Sequence, residues 1–213
     1  MINLLFQGRY ELFAMLLFSI ILSLTFHEFG HAITAKHFGD DTAQRMGRLT
    51  LNPWVHIDLM GLLMVATIGF GYAKPVPINP SKFNSPQASL WVSAAGPGMN
   101  LLLAIITLNI GAAAVHYQMD ALNTSFVMFF LQYLALINLL LMLFNLLPIG
   151  PLDGHYILPY FMKPQAGYKY LQWNQQYGTM ILFGLIALSF VGIPIFSKLM
   201  GVAQSLSQYL IFF

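Results

Sequence analysis

The chain alternates long apolar stretches with short polar ones rich in glycine and proline. A helix needs about 20 mostly apolar residues to cross the roughly 30 Å hydrocarbon core of a bilayer. Four stretches reach that length: Leu12 to Thr34, Leu90 to Val115, Phe126 to Leu147 and Tyr177 to Phe196. Between the first two lies Leu59 to Ala73, apolar but only about 15 residues long. It contains Gly61, Gly69 and Gly71 and is followed by Pro75, Pro77 and Pro80. Too short to span, it predicts a re-entrant or β-like hairpin whose edge an extended peptide could join. Near the C-terminus, Leu199, Val202, Ala203, Leu206, Leu210 and Phe213 fall at helical spacing, with Gln204, Ser205, Ser207 and Gln208 mostly opposite. That pattern predicts an amphipathic helix on the bundle or at the interface. The expected fold is an all-α membrane protein: a polytopic helical bundle of about four transmembrane helices, forming one domain over residues 1–213.

Composition agrees with this and narrows it. Of the 213 residues, 58% are hydrophobic and 8% charged, against about 25% charged in a soluble domain. So little charge cannot cover a water-facing surface, which makes the lipid bilayer the main solvent. A net charge of +2, with no basic stretch interleaved with aromatics, excludes nucleic acid as a partner. Cysteine is absent, which excludes disulfides and thiol nucleophiles and leaves nitrogen and oxygen as metal ligands. The start lacks a small-residue cleavage site, so no cleavable signal peptide is expected.

If the Leu59–Ala73 hairpin returns to its own side, Lys36, Arg45, Arg48, Lys74, Lys82, Lys163 and Lys169 share one face of the membrane. Arg9 and Lys198 lie on the other. The bias places the first group in the cytoplasm.

Near the cytoplasmic end of the first span stands Phe26-His27-Glu28-Phe29-Gly30-His31. Residues four apart share a helix face, so both imidazoles can reach one ion, with Glu28 beside them as a candidate base. With six histidines and two glutamates in the chain, chance would supply this pattern roughly 0.002 times. Catalytic zinc takes three protein ligands and keeps one position open. The candidate third ligand is Asp153, in Asn145-Leu-Leu-Pro148-Ile-Gly-Pro151-Leu-Asp153-Gly154. Proline and glycine end the third span there, on the membrane side where the first span ends. Asn100 and Asn145 are candidates for holding the substrate backbone or polarising its carbonyl. Asn138, seven residues before Asn145, reads as interhelical glue. His56 and Asp58 are candidates for a second shell or proton relay.

His27-Glu28-Phe29-Gly30-His31 together with Leu152-Asp153-Gly154 resembles the site-2 protease family of intramembrane zinc metalloproteases. Gly96-Pro97-Gly98-Met99-Asn100 resembles that family's GxxxN element. Leu51-Asn52-Pro53, His56-Ile57-Asp58 and Ala73-Lys74-Pro75-Val76-Pro77 resemble its compact members, which lack PDZ or CBS accessory domains. The resemblance covers about residues 20 to 160 and implies one Zn2+ per chain on His27, His31 and Asp153, with Glu28 as catalytic base. It also implies a catalytic core within about residues 12–160. Members commonly carry a small residue where His155 stands, which makes His155 a further candidate near the metal. The implied substrates are transmembrane or signal-peptide-like proteins, cut near the cytoplasmic face of a bacterial or archaeal plasma membrane. Two other classes compete. A zinc transporter would spread polar residues along several spans and show a repeat, and a non-catalytic scaffold would have no use for Glu28. Neither the oligomeric state nor the individual substrate can be read from the chain.

Overall fold

The computed structural model describes residues 1–69 and 71–213. Among these, the chain forms α1 (Ile2–Phe6), α2 (Tyr10–His37), α3 (Thr42–Arg45), α4 (Leu59–Ile68), α5 (Ala88–His116), α6 (Ser125–Asn145), α7 (Gly154–Ile157), α8 (Pro164–Phe190) and α9 (Ile195–Tyr209). There is no strand among the described residues. Helices α2, α5 and α6 are each long and apolar enough to cross a membrane, and α5 packs against both of the others. In hydrocarbon every backbone group must be bonded internally, and these helices extend that economy to side chains. The hydroxyls of Ser19, Ser23 and Thr25 in α2 donate to carbonyls four residues back, at 2.8, 2.6 and 2.7 Å. Thr124 caps α6, its hydroxyl accepting the Val127 N–H at 3.3 Å. Ala104 of α5, Ala135, Leu139 and Met142 of α6, and Ala203 of α9 make one buried cluster. Small side chains there let the helix backbones approach closely.

The fourth expected span, Tyr177–Phe196, falls across a break. Only α8 and α9 taken together are apolar and long enough, and they meet at 90°. Polar Asn174, Gln175 and Gln176 occupy the middle of α8, Gly192 takes a φ of +100°, and Pro194 brings no N–H to continue the helix. The amphipathic helix begins at Ile195, four residues before its expected start, and ends at Tyr209. Ala203 is fully buried, with Leu206 and Leu210 packed on the same cluster. Asn109 of α5 fastens the tail by donating to the Leu210 carbonyl and accepting from the Phe212 N–H, both at 2.8 Å.

Among the described residues the expected hairpin is a helix followed by a return segment, with no strand. Asp58 caps α4 by accepting the Gly61 N–H at 2.9 Å, and Gly69 closes the helix at a φ of +81°. The glycines that made this stretch look helix-poor flank the helix's working middle. Gly61 and Gly71 also let helix and return segment touch, since a Cβ on either would strike the other segment's backbone. Phe70, inside the expected hairpin, lies outside the described residues. Lys74 N–H donates to the His56 carbonyl at 2.9 Å, so the excursion starts and ends at one place.

Candidate metal centre

One helical turn apart on the inward face of α2, His27 and His31 are 5% and 7% exposed. Their Nε2 atoms lie 3.1 Å apart. Asp153, on the turn before α7, faces both: Oδ2 is 3.2 Å from His27 Nε2, and Oδ1 is 3.3 Å from His31 Nε2. Among the described residues these three side chains form the group whose ligand atoms converge on one point.

Tautomers follow from the partners behind the rings. His31 Nδ1 lies 2.7 Å from the Val92 carbonyl, which can only accept, so Nδ1 carries the hydrogen. His27 Nδ1 lies 2.7 Å from Asn100 Oδ1. The Asn100 amide nitrogen donates to the Ser23 carbonyl at 3.1 Å and to Asn138 Oδ1 at 2.8 Å, which fixes Oδ1 as an acceptor. In their neutral form both imidazoles therefore point Nε2 lone pairs at each other and at a carboxylate. Room for the rings comes from Gly96 of α5, where a Cβ would overlap atoms of both. Asp153, with an ordinary carboxyl pKa of about 3.9, is a carboxylate at neutral pH, and its buried Oδ2 makes no hydrogen bond. Two imidazole lone pairs and a carboxylate facing one another across about 3 Å repel unless a cation lies among them. Two imidazoles and one carboxylate are a donor set that catalytic zinc takes. The residues fit such an ion.

Glu28 is 8% exposed and outside the converging group. Its Oε2 accepts the Val76 N–H at 2.8 Å, from the extended segment that follows α4. That segment is held from two sides. Arg48 Nη2 donates to the carbonyls of Lys74 at 2.6 Å and Pro75 at 3.3 Å, and Asp40 Oδ2 accepts the Asn79 N–H at 2.6 Å.

The sequence has known relatives. Peptidase family M50 matches residues 15–119 and 109–189. This chain belongs to that family, the site-2 proteases. It is 41% identical to "Putative zinc metalloprotease YwhC" of Bacillus subtilis over 174 residues, covering 80% of this chain and 78% of that one. "Putative zinc metalloprotease Rip2" of Mycolicibacterium smegmatis is 35% identical over 173 residues, covering 78% and 64%. Rip2 of Mycobacterium tuberculosis is 33% identical over 159 residues, covering 72% and 60%. No solved structure matches. The family and the apolar helices together make this M50 chain a membrane metalloprotease.

The other candidates fall elsewhere. Asn100 reaches the centre, but as a brace on His27 with both amide hydrogens spent, leaving none for a substrate carbonyl. Asn145 turns back on its own helix, donating to the Leu141 carbonyl at 3.0 Å. Asp58 is committed to the α4 cap, and His56 Nε2 lies 2.8 Å from the Thr50 carbonyl. Neither touches a member of the triad. His155 is buried with Nδ1 unpaired, its pKa lowered by burial, and stands outside the converging group. Beyond the expected strand-addition edge, Pro75 and Pro77 have no N–H, while those of Lys74, Val76 and Asn79 are already bonded.

Sequence reasoning missed the backing of the triad. Asn138 does more than join helices: it holds Asn100, and its own amide donates to Ser23 Oγ at 2.9 Å. The signal was available for Ser23, which precedes His27 by one turn and so shares its face. For Val92, Arg48 and Val76 the contacts are long-range and partly through backbone, and side-chain identity does not mark them.

Proposed function

We propose that this M50 chain is an intramembrane zinc metalloprotease that hydrolyses peptide bonds of membrane-spanning segments near the cytoplasmic face. His27, His31 and Asp153 hold one zinc, and Glu28 is the general base. The observation that carries this reading is the pair of imidazoles whose Nδ1 hydrogens are committed behind them, so that both Nε2 lone pairs meet the Asp153 carboxylate. Zinc bound there would act as a Lewis acid and lower the pKa of water to about 7.

The chain's own residues do the rest. Val76 N–H pins Oε2 of Glu28, which fixes the carboxylate's orientation and leaves Oε1 to accept a proton and pass it to the leaving amine. Such transfer contributes about 10²–10⁴-fold. Asn100 and the Val92 carbonyl keep the rings from rotating. A substrate helix holds its peptide groups in its own hydrogen bonds, so it must open locally to expose one to attack. The lysine and arginine distribution supports a cytoplasmic site, and the joined ends of the α4 excursion support the assumption that distribution needs. Substrates of this chain are single-span or signal-peptide-like proteins.

The test is cleavage of a panel of single-span substrates by purified protein in detergent or liposomes. Cleavage should stop on zinc chelation and return with zinc; cleavage that survives a strong chelator would rule the reading out. Single cysteines at Ser81 and Gln165, introduced into this cysteine-free chain, should both label from the cytoplasmic side.

A further inference from the structure

Helix α8 lies outside the region that carries the family motifs, yet one of its faces meets the turn that delivers Asp153. Tyr170, Asn174, Gly178, Leu182 and Ile186 recur every four residues, and so form a single stripe along α8. The turn from Pro148 to Leu152 follows that stripe. Asn174 is 1% exposed. Its Oδ1 accepts the Gly150 N–H at 2.7 Å, while its Nδ2 donates to the Pro148 carbonyl at 3.1 Å. Tyr170 also donates to that carbonyl, at 2.7 Å, and accepts a second hydrogen from Asn174 Nδ2 at 2.8 Å. One side-chain amide thus satisfies the donor and the acceptor that a turn flanked by Pro148 and Pro151 cannot pair within itself. Gly178 leaves the space for this, since a Cβ there would lie 2.9 Å from both N and O of Gly150 and overlap the Asn174 amide. Further along the stripe, Leu182 and Ile186 bury Leu152, the residue before Asp153.

We propose that Asn174, supported by Tyr170, is a positioning residue for the third metal ligand, and that α8 sets the reach of Asp153 toward His27 and His31. The inference rests on the zinc-protease reading and adds a helix to the working site. Asn174 touches neither metal ligand nor substrate, so its effect must appear first in metal binding. Partners that orient a ligand from behind are worth about 10–100-fold in metal affinity, and the indirect link here places the expectation near the lower figure.

The experiment uses full-length protein with Asn174→Ala and Tyr170→Phe, measuring zinc affinity against a chromogenic chelator and the absorption spectrum with cobalt(II) in place of zinc. Asn174→Ala should weaken zinc roughly tenfold, alter the cobalt spectrum, and recover turnover when zinc is raised. Tyr170→Phe removes one of two donors to Pro148 and should weaken zinc roughly threefold; it carries the test should Asn174→Ala fail to fold. Wild-type affinity and spectrum in both variants would overturn the inference while leaving the protease reading intact. So would a loss of turnover that added zinc does not restore. A wild-type chain that bound no zinc would instead overturn the protease reading, and this inference with it.

Discussion

His27 and His31 reach the centre from the buried face of a long helix, whereas Asp153 reaches it from a turn between helices. On α2 the ligand spacing is built into the backbone: four residues make one turn, and the rings need only be stopped from rotating. Asn100 and the Val92 carbonyl do that, both from α5. On the other side Asp153 sits on a short turn, whose local bonds supply no long helix to set its direction. Its turn is held by an amide and a phenol from α8 and by Leu152 packed beneath it. The imidazole side is rigid by secondary structure, the carboxylate side by tertiary contact. Substitutions on the two sides should therefore differ in how far from the ligand they still matter.

The largest effect expected is at the ligands themselves, where the two sides should not differ. His27→Ala, His31→Ala and Asp153→Ala should each lose both zinc and turnover, measured as metal content and peptide cleavage. Retention of zinc by Asp153→Ala at wild-type affinity would break the triad and bring His155 forward as a ligand.

One shell out, the imidazole side should answer to α5 and α6. Asn100→Leu frees His27 Nδ1 and should weaken zinc about 10–100-fold. Asn138→Leu removes the hydrogen that Ser23 Oγ accepts and leaves one Asn100 amide hydrogen without an acceptor, at about 1–3 kcal/mol of stability, with a smaller loss of zinc. An Asn138→Leu protein that bound zinc less well than Asn100→Leu would show the order of this relay to be wrong.

Glu28 offers an intermediate case, a helical residue steadied by a loop. Arg48→Met releases the Lys74 and Pro75 carbonyls and should loosen the segment that presents Val76. Turnover should fall about tenfold, equal to roughly 1.4 kcal/mol, with zinc affinity unchanged. Equal losses in both quantities would mean that the segment supports the metal and not the base.

The smallest effect is in acid. Burial raises the Asp40 carboxyl, but the N–H groups of Asn79 and Thr42, the Thr42 hydroxyl and Lys82 outweigh it and hold the pKa below its ordinary value. A carboxylate depressed in this way stabilises the fold above its unfolded pKa of about 3.9. That contribution disappears as pH falls through the lower folded value. Exchange protection of the Asn79 amide should thus hold at neutral pH and drop below about pH 4, while amides within α2 stay protected. Loss of Asn79 protection near neutral pH would contradict this.

The same contrast explains what the sequence disclosed. The His27–His31 pair and the three long spans were legible because helical period and bilayer thickness act on neighbouring residues. Asp153 was legible from its side of the membrane and its motif, although the turn's support was not. Asn174 lies outside every expected span and carried no signal, because its partners on the turn lie 24 and 26 residues away and are backbone atoms. Asn100 was found without its role, because an amide aimed at a cavity and an amide braced against a ring read alike in one dimension. At Leu59–Ala73 composition misled, since its glycines serve close packing and helix ends.

The central claim divides the HExxH motif between two ligands that hold metal and one carboxylate that moves a proton. Measuring zinc per chain and cleavage side by side in wild type and Glu28→Gln tests that division most directly. Glu28→Gln should retain about one zinc per chain and the Val76 N–H bond to its side-chain oxygen, while cleavage falls by about 10²–10⁴-fold. Loss of zinc from Glu28→Gln, or cleavage at the wild-type rate, would contradict it.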